Sequence, residues 1–319
     1  LFAAKNKERM DAYLVTGGAG FIGSNIVKEL LQREQRVRVL DNFSTGKREN
    51  LFEFKENPNF ELIEGDLRSF HTVRSAVKGM DYILHQGALP SVPRSVNDPL
   101  TTNDVNILGT LNILEAAKEF GVKRVIYASS SSIYGDNEIL PKKEDMPVNP
   151  LSPYALSKYT GERYCQIFTK IYDLETVCLR YFNVFGPNQD PTSQYSAVIP
   201  KFIRLMSEGK RPLIYGDGTQ SRDFTHVSNI VAANLLSCTA EGVSGEVFNI
   251  ACGESFTLMQ FVDVLNRILG TAIEPVFEEE CPGDVKHSLA DISRAAEKLG
   301  YRVTTRFEEG LRDLVRAVK

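Results

Sequence analysis

The chain has 319 residues, with 37 Lys and Arg against 41 Asp and Glu and a formal net charge of -4. That length calls for two domains, or one large domain with an appended lobe. The balanced charge excludes a non-specific polyanion binder, so no nucleic-acid partner is expected and any phosphate must be met locally.

Five widely spaced cysteines without a CxxC pair (Cys165, Cys178, Cys238, Cys252, Cys281) argue against a disulfide framework and a zinc site. They point to the reducing cytoplasm. His71, His85, His226 and His287 have no metal-ligand spacing, and no metal is expected. The opening LFAAKNKERM has too short an apolar run for a signal peptide. No segment approaches the ~18 apolar residues that span a bilayer, so no membrane partner is expected.

In chain order, Tyr13-Leu14-Val15, Val37 to Leu40, Glu61-Leu62-Ile63, Tyr82-Ile83-Leu84, Val125-Ile126-Tyr127 and Thr176 to Leu179 read as strands. Between them, Ile22, Ile26 and Leu30, and again Ile107, Leu111 and Leu114, fall at helical spacing. Alternation of this kind predicts an α/β fold with a parallel sheet. After Gly186-Pro187 the texture becomes loop-rich, then returns to sheet-domain character over Val227 to Ile250. The expected division is residues 1–183 plus about 225–255 in one domain, with about 184–224 and 256–319 in a smaller lobe.

The first strand runs into Thr16-Gly17-Gly18-Ala19-Gly20-Phe21-Ile22-Gly23 and a helix. Gly17, Gly20 and Gly23 there permit a tight turn, close approach to a pyrophosphate and close helix packing. Asp41 ends the second strand, where a carboxylate accepts ribose hydroxyls and repels an added phosphate, so NAD is favoured over NADP. Lys47 and Arg48 lie near enough in sequence to be counter-arguments. Asp66-Leu67 follows the third strand, as an adenine contact or a strand-end cap.

Tyr154 and Lys158 stand four apart on one helix face, where an ammonium stabilises a phenolate and lowers its pKa. The run Ser129 to Ser132 follows the fifth strand and brings hydroxyls to the sheet's carboxyl edge. Tyr215 and Phe224 either line a base site or belong to the core.

Together these features resemble the extended short-chain dehydrogenase/reductase family over nearly the whole chain. Within it they are similar to the nucleotide-sugar epimerases, in particular the UDP-N-acetylglucosamine 4-epimerase type. Matching text includes His85-Gln86-Gly87-Ala88, Ser91 to Ser95, Arg180 to Gly186, Ser221 to Phe224 and Gly283-Asp284-Val285. The resemblance implies a Rossmann doubly wound sheet with a smaller C-terminal substrate lobe, bound NAD, a UDP-sugar substrate and a homodimer formed through helices near residues 104–120 and 153–170.

It assigns Tyr154 as the base, Lys158 as its tuner and holder of the nicotinamide ribose, and Ser130 as the bridge to the sugar hydroxyl. Further cofactor contacts fall on Phe21, Ile22, Asn42, Ser44, Gly46, Gln86, Ala88 and Tyr181. Substrate contacts fall on Ser91, Arg94, Ser131, Ser132, Asn183, Gln189, Val198, Tyr215, Arg222, Asp284 and Ser288.

Dehydratases of this family carry an acid pair after the Ser/Thr, and decarboxylating members a glutamate at the second position. Ser131-Ser132 stand there instead, which leaves inversion at carbon 4 of a UDP-hexose through a transient 4-keto sugar. Glucose-restricted relatives carry tyrosine at the position of Ser288, so serine implies room for an acetamido group and a preference for UDP-GlcNAc and UDP-GalNAc. Cys281 replaces a diphosphate-binding arginine of the relatives, which shifts that load toward Arg222. The alternatives are a UDP-hexuronic acid 4-epimerase, with Arg94 meeting the carboxylate, and a non-catalytic NAD-sensing protein.

Overall fold

The computed structural model describes residues 10–190, 198–279 and 286–318. Strands β1 (Ala12–Thr16), β2 (Arg36–Asp41), β3 (Phe60–Glu64), β4 (Tyr82–His85), β5 (Arg124–Ser130) and β6 (Thr176–Tyr181) each contain one of the β-branched runs. With Glu246–Ile250 they make a seven-stranded sheet in the order β3-β2-β1-β4-β5-β6 followed by Glu246–Ile250. Every neighbouring pair is parallel. This is the doubly wound Rossmann arrangement, in which the strand order reverses between β1 and β4 and opens a crevice at their carboxyl ends.

Parallel strands need crossover connections, and helices therefore cover both faces. Successive residues serve opposite faces. Leu14, Ile83 and Val125 pack with Val73, Ile113 and Leu114 on one side. Val15, Leu84 and Ile126 pack with Ile26, Leu30 and Ile230 on the other. At the edge, β3 has few buried positions, which explains its polar residues.

The second lobe gathers the helices Val198–Ser207, Leu258–Leu269 and Phe307–Val318 around Phe185, Phe202, Phe224 and Phe261. Phe224 stacks on Phe307 at 4.8 Å between centroids and is buried, so it belongs to this core and not to a base site. The division read from the sequence places all of 256–319 in this lobe. Packing differs over one stretch: Ala295, Leu299 and Tyr301 join the sheet-domain core, because the helix Ser293–Leu299 returns to the sheet. Among the described residues no helix is long and apolar enough to cross a membrane.

The helix Pro153–Tyr172 fixes the site. Ser152 caps it by accepting from the Ala155 amide at 3.1 Å, with Pro153 in the first turn, where its missing N–H costs nothing. Gly161 lies mid-helix, where alanine ordinarily gains about 1 kcal/mol. Here a Cβ would stand 2.2 Å from the buried Tyr127 hydroxyl on β5, so contact outweighs propensity. Gly161→Ala is expected to lower unfolding stability in urea by about 2 kcal/mol, within the range for overpacked cores; a stabilised variant would contradict this packing account.

Candidate active site

The glycine turn leaves β1 with Gly17 at φ +66, in the left-handed region that favours glycine. A Cβ on Gly17 would sit 2.7 Å from the Gly87 Cα, and one on Gly23 would sit 2.2 Å from the Gly17 carbonyl oxygen. The helix Phe21–Gln32 starts with no side-chain cap, so its first-turn amides face outward at the positive end of the helix dipole. This cradle fits a pyrophosphate.

A cleft of about 650 Å³ opens from it across the β1/β4 reversal. It brings together Gly17, Gly20, Phe21, Ile22, Gly23, Asp41, Asn42, Ser44, Asp66, Leu67, Gln86, Ala88, Tyr154, Lys158 and Tyr181 from the cofactor set. Gly46 does not line it. A Cβ at Gly46 would meet Ala19 and the Asp41 carboxylate, so this glycine lets the loop close behind Asp41.

Asp41 accepts from the Ala19 amide at 2.9 Å and the Phe43 amide at 2.8 Å. Burial pushes its carboxyl up from the usual carboxylate range, and those two amides work against the rise. Lys47 pairs with Asp190 at 2.9 Å, while Arg48 pairs with Glu64 and covers the Phe43 ring. Each cation already has a carboxylate partner, which weakens the sequence argument for a 2′-phosphate. Asp66 accepts from Asn42 and Arg68, and the Arg68 hydrogen bond holds its carboxyl down at about 2.

At the inner end, Lys158 donates to the Ala128 carbonyl at 2.8 Å, and the Tyr154 phenol lies beside the Ser130 side chain. The sequence predicts a phenol made acidic by its ammonium neighbour, and burial of the pair works against that effect. Burial raises the Tyr154 phenol from its ordinary value, opposed by the Ser130 hydrogen bond. Burial also pulls Lys158 down to about 8. Both charged forms are penalised by the same dry surroundings, and the ammonium is directed at a carbonyl.

On the substrate side, Ser91, Arg94 and Gln189 line the cleft. Ser91 has φ 104, and its Oγ accepts from the Arg94 amide at 3.3 Å, capping the helix Val92–Asn97. Ser130 Oγ accepts from the Ser132 amide, which turns Ser131 and Ser132 out of the strand. The Ser132 Oγ and Gln189 Oε1 atoms are buried without a protein partner; Gln189 lines the cleft, and Ser130, Ser131 and Ser132 do not. Asn183 donates to Ser288 Oγ at 3.3 Å and to the Asp223 carbonyl at 3.2 Å, joining two positions far apart in sequence. Arg222 donates to the Ser221 and Lys286 carbonyls.

Val198 is partly buried against the lobe core in the first turn of the helix Val198–Ser207 and does not line the cleft. Tyr215 is exposed on the lobe strand Leu213–Tyr215. Cys281 and Asp284 lie outside the described residues.

Sequence reasoning missed several supports. Asn106 sits in a π-helical turn, Asp104–Leu108, within the helix expected over 104–120, and its side chain bonds both Leu89 N and O and Ser157 Oγ. His85 bridges Thr16 and Thr110, and burial holds it neutral, down at about 3. Glu162 and Arg180 form a buried pair behind Ser129. The i+8 spacing of Glu162 from Tyr154 was the available signal.

A family model described as the NAD dependent epimerase/dehydratase family matches residues 13–251. UDP-N-acetylglucosamine 4-epimerase from Methanobrevibacter ruminantium M1, solved with UDP-N-acetylmuramic acid, is 43% identical with a TM-score of 0.92, covering 97% of this chain and 98% of that one. UDP-glucose 4-epimerase of Mycolicibacterium smegmatis is 36% identical over 305 residues, 93% of this chain and 95% of the relative. UDP-glucuronate 4-epimerase of Thermodesulfobacterium geofontis is 35% identical over 315 residues, 96% of this chain and 95% of the relative.

Gly17→Ala is expected to weaken NAD binding by at least about tenfold in calorimetric titration, the equivalent of 1.4 kcal/mol. Gly79→Ala has an equally left-handed backbone at φ +81 in open space and should leave affinity unchanged. Equal affinity in both variants would show that the cradle is not the phosphate site.

Proposed function

Because the chain belongs to the NAD dependent epimerase/dehydratase family, whose cofactor is NAD, we propose that it inverts carbon 4 of a UDP-hexose, with preference for N-acetylated sugars. One observation carries this reading: Tyr154 and Lys158 converge on the same cleft as the glycine turn and Asp41. When bound, NAD supplies the hydride acceptor and returns the hydride.

Tyr154 takes the proton of the 4-hydroxyl through its Ser130-bonded phenol and gives it back to the 4-keto sugar on the other face. Burial raises the phenol above its ordinary value, and Lys158, one helical turn away, would favour its ionised form and hold the cofactor ribose. Ser130 bridges the sugar hydroxyl, and Ser132 and Gln189 offer their unpartnered oxygens to the ring. Arg222 meets the diphosphate, where a guanidinium fork suits phosphate oxygens. Inversion requires the keto sugar to present its opposite face, so the uridine diphosphate is held firmly and the ring loosely.

The sugar preference rests on Ser288, whose small side chain faces Asn183, and on the Methanobrevibacter relative. A second reading, UDP-hexuronic acid, draws on Arg94 in the cleft and the Thermodesulfobacterium relative. Incubation with a UDP-sugar panel and NMR detection of carbon-4 inversion separates the two. We propose a homodimer as well, formed through the helices near 104–120 and 153–170 and supported by exposed Leu108 on the first and exposed Leu156 and Ile167 on the second. A cytoplasmic setting is supported by four free, buried thiols among the described residues.

Tyr154→Phe is expected to slow inversion by about 100-fold or more, the usual size of a lost proton-transfer group, with NAD retained; near wild-type turnover would refute the assignment. Ser288→Tyr is expected to lower kcat/KM for UDP-GlcNAc at least about tenfold relative to UDP-Glc. An unchanged ratio would remove the basis for the sugar preference.

A further inference from the structure

The helix Pro153–Tyr172 presents Tyr154, Lys158 and Glu162 one turn apart on one face. Each of the last two reaches the end of β5. Lys158 donates to the Ala128 carbonyl, and Glu162 Oε1 accepts from the Ser129 hydroxyl at 2.5 Å. Glu162 is held in turn by Arg180 of β6, through Nε and Nη2 at 2.9 Å each. Both side chains are almost wholly buried, at 2% and 5% exposure.

Arg180 continues the chain of contacts. Its Nη1 donates to the Tyr134 hydroxyl at 2.8 Å, and that hydroxyl donates to Asn249 Oδ1 at 2.7 Å. The turn that carries Ser130, Ser131 and Ser132 is thus anchored at both ends. Ser129 ties its start to Glu162, and Tyr134 ties its end to Arg180. Asn249 extends the network by donating to the Lys142 and Asp291 carbonyls, three residues from Ser288.

A buried ion pair is an expensive way to stabilise a fold, because desolvation offsets most of the Coulombic gain and an apolar pair of the same volume is often as stable. Its worth here is geometric. A carboxylate with two fixed donors and one hydroxyl has no freedom to rotate, so it sets Ser129, and with it the neighbouring Ser130, against Tyr154. We infer that Glu162 and Arg180 are positioning residues for the proton-transfer pair, fixing the Ser130 to Tyr154 separation from between the helix and the sheet. The inference rests on the proposed role of Tyr154 and Ser130, and neither Glu162 nor Arg180 touches the cleft that holds the reactants.

Three variants test it. Ser129→Ala removes one hydrogen bond and leaves the ion pair in place. Glu162→Gln keeps the shape and breaks the bidentate grip. Glu162→Leu/Arg180→Met replaces the pair by apolar groups.

Displacing reacting groups by about 1 Å costs on the order of 100-fold, so kcat is expected to fall at least about tenfold in Glu162→Gln and in the double variant. A smaller fall, about threefold, is expected for Ser129→Ala, which loses a single contact. KM for the UDP-sugar and NAD content should stay near wild type, and the double variant should melt within a few degrees of it. Crystal structures of the variants should show a longer Ser130 to Tyr154 separation.

A double variant that recovers wild-type kcat would mean the pair serves stability alone and would overturn the inference. So would a fall in activity matched by loss of folded protein and NAD, or an unchanged Ser130 to Tyr154 distance. If the double variant does not fold, Ser129→Ala decides by the same two readouts. A wild-type protein that inverts no sugar would defeat the proposed reaction, while the measured separation would still decide the positioning role.

Discussion

The arrangement depends on how closely one helix lies against one strand. Gly161 lets the helix Pro153–Tyr172 approach the buried Tyr127 ring, and at that range Lys158 and Glu162 reach the backbone and side chain of β5's last residues. A larger residue would lift the helix and lengthen both contacts at once. The same spacing decides whether Tyr154 meets Ser130 beside the glycine turn of β1. A packing constraint in the sheet domain therefore sets the geometry of proton transfer in the proposed reaction.

Burial makes that geometry electrostatically incomplete. Burial raises the phenol and lowers the amine to about 8, so it works against the charged form of each, while the amine keeps its proton at neutral pH. In a dry site a charge introduced nearby acts strongly, because little water screens it. Ionisation of the phenol in the proposed reaction would then draw on Lys158 and on the positive charge that a bound cofactor brings.

The parts legible in sequence were those with local signatures. Each short β-branched run became a strand, because buried parallel strands need nothing beyond apolar continuity. The glycine turn and Asp41 could be read because their chemistry is fixed by backbone shape and strand end. Tyr154 and Lys158 share a helix face by simple periodicity. Long-range polar pairings were less visible. Arg180 is read in sequence as part of a motif, but its partner Glu162 and their contact with Ser129 depend on β5 and β6 lying side by side. The core position of Phe224 stayed open in the sequence because an aromatic side chain carries no sign of whether it lines a site or enters a core. The helix Ser293–Leu299 returns to the sheet for a reason equally hidden in one dimension: its apolar residues suit either core.

The two ends of the site also differ in how tightly their polar groups are already satisfied. Around the dinucleotide end, Asp41 accepts at 2.8 and 2.9 Å and Thr16 meets His85 at 2.7 Å. Toward the sugar end, Asn183 and Gln189 make bonds of 3.2 to 3.3 Å, and two oxygens, on Ser132 and Gln189, have no protein partner. Long hydrogen bonds are weak ones, and redirecting them to a ligand costs little. In the proposed reaction the unpartnered oxygens would give the sugar adjustable contacts, which suits an inversion that must present both faces of one ring.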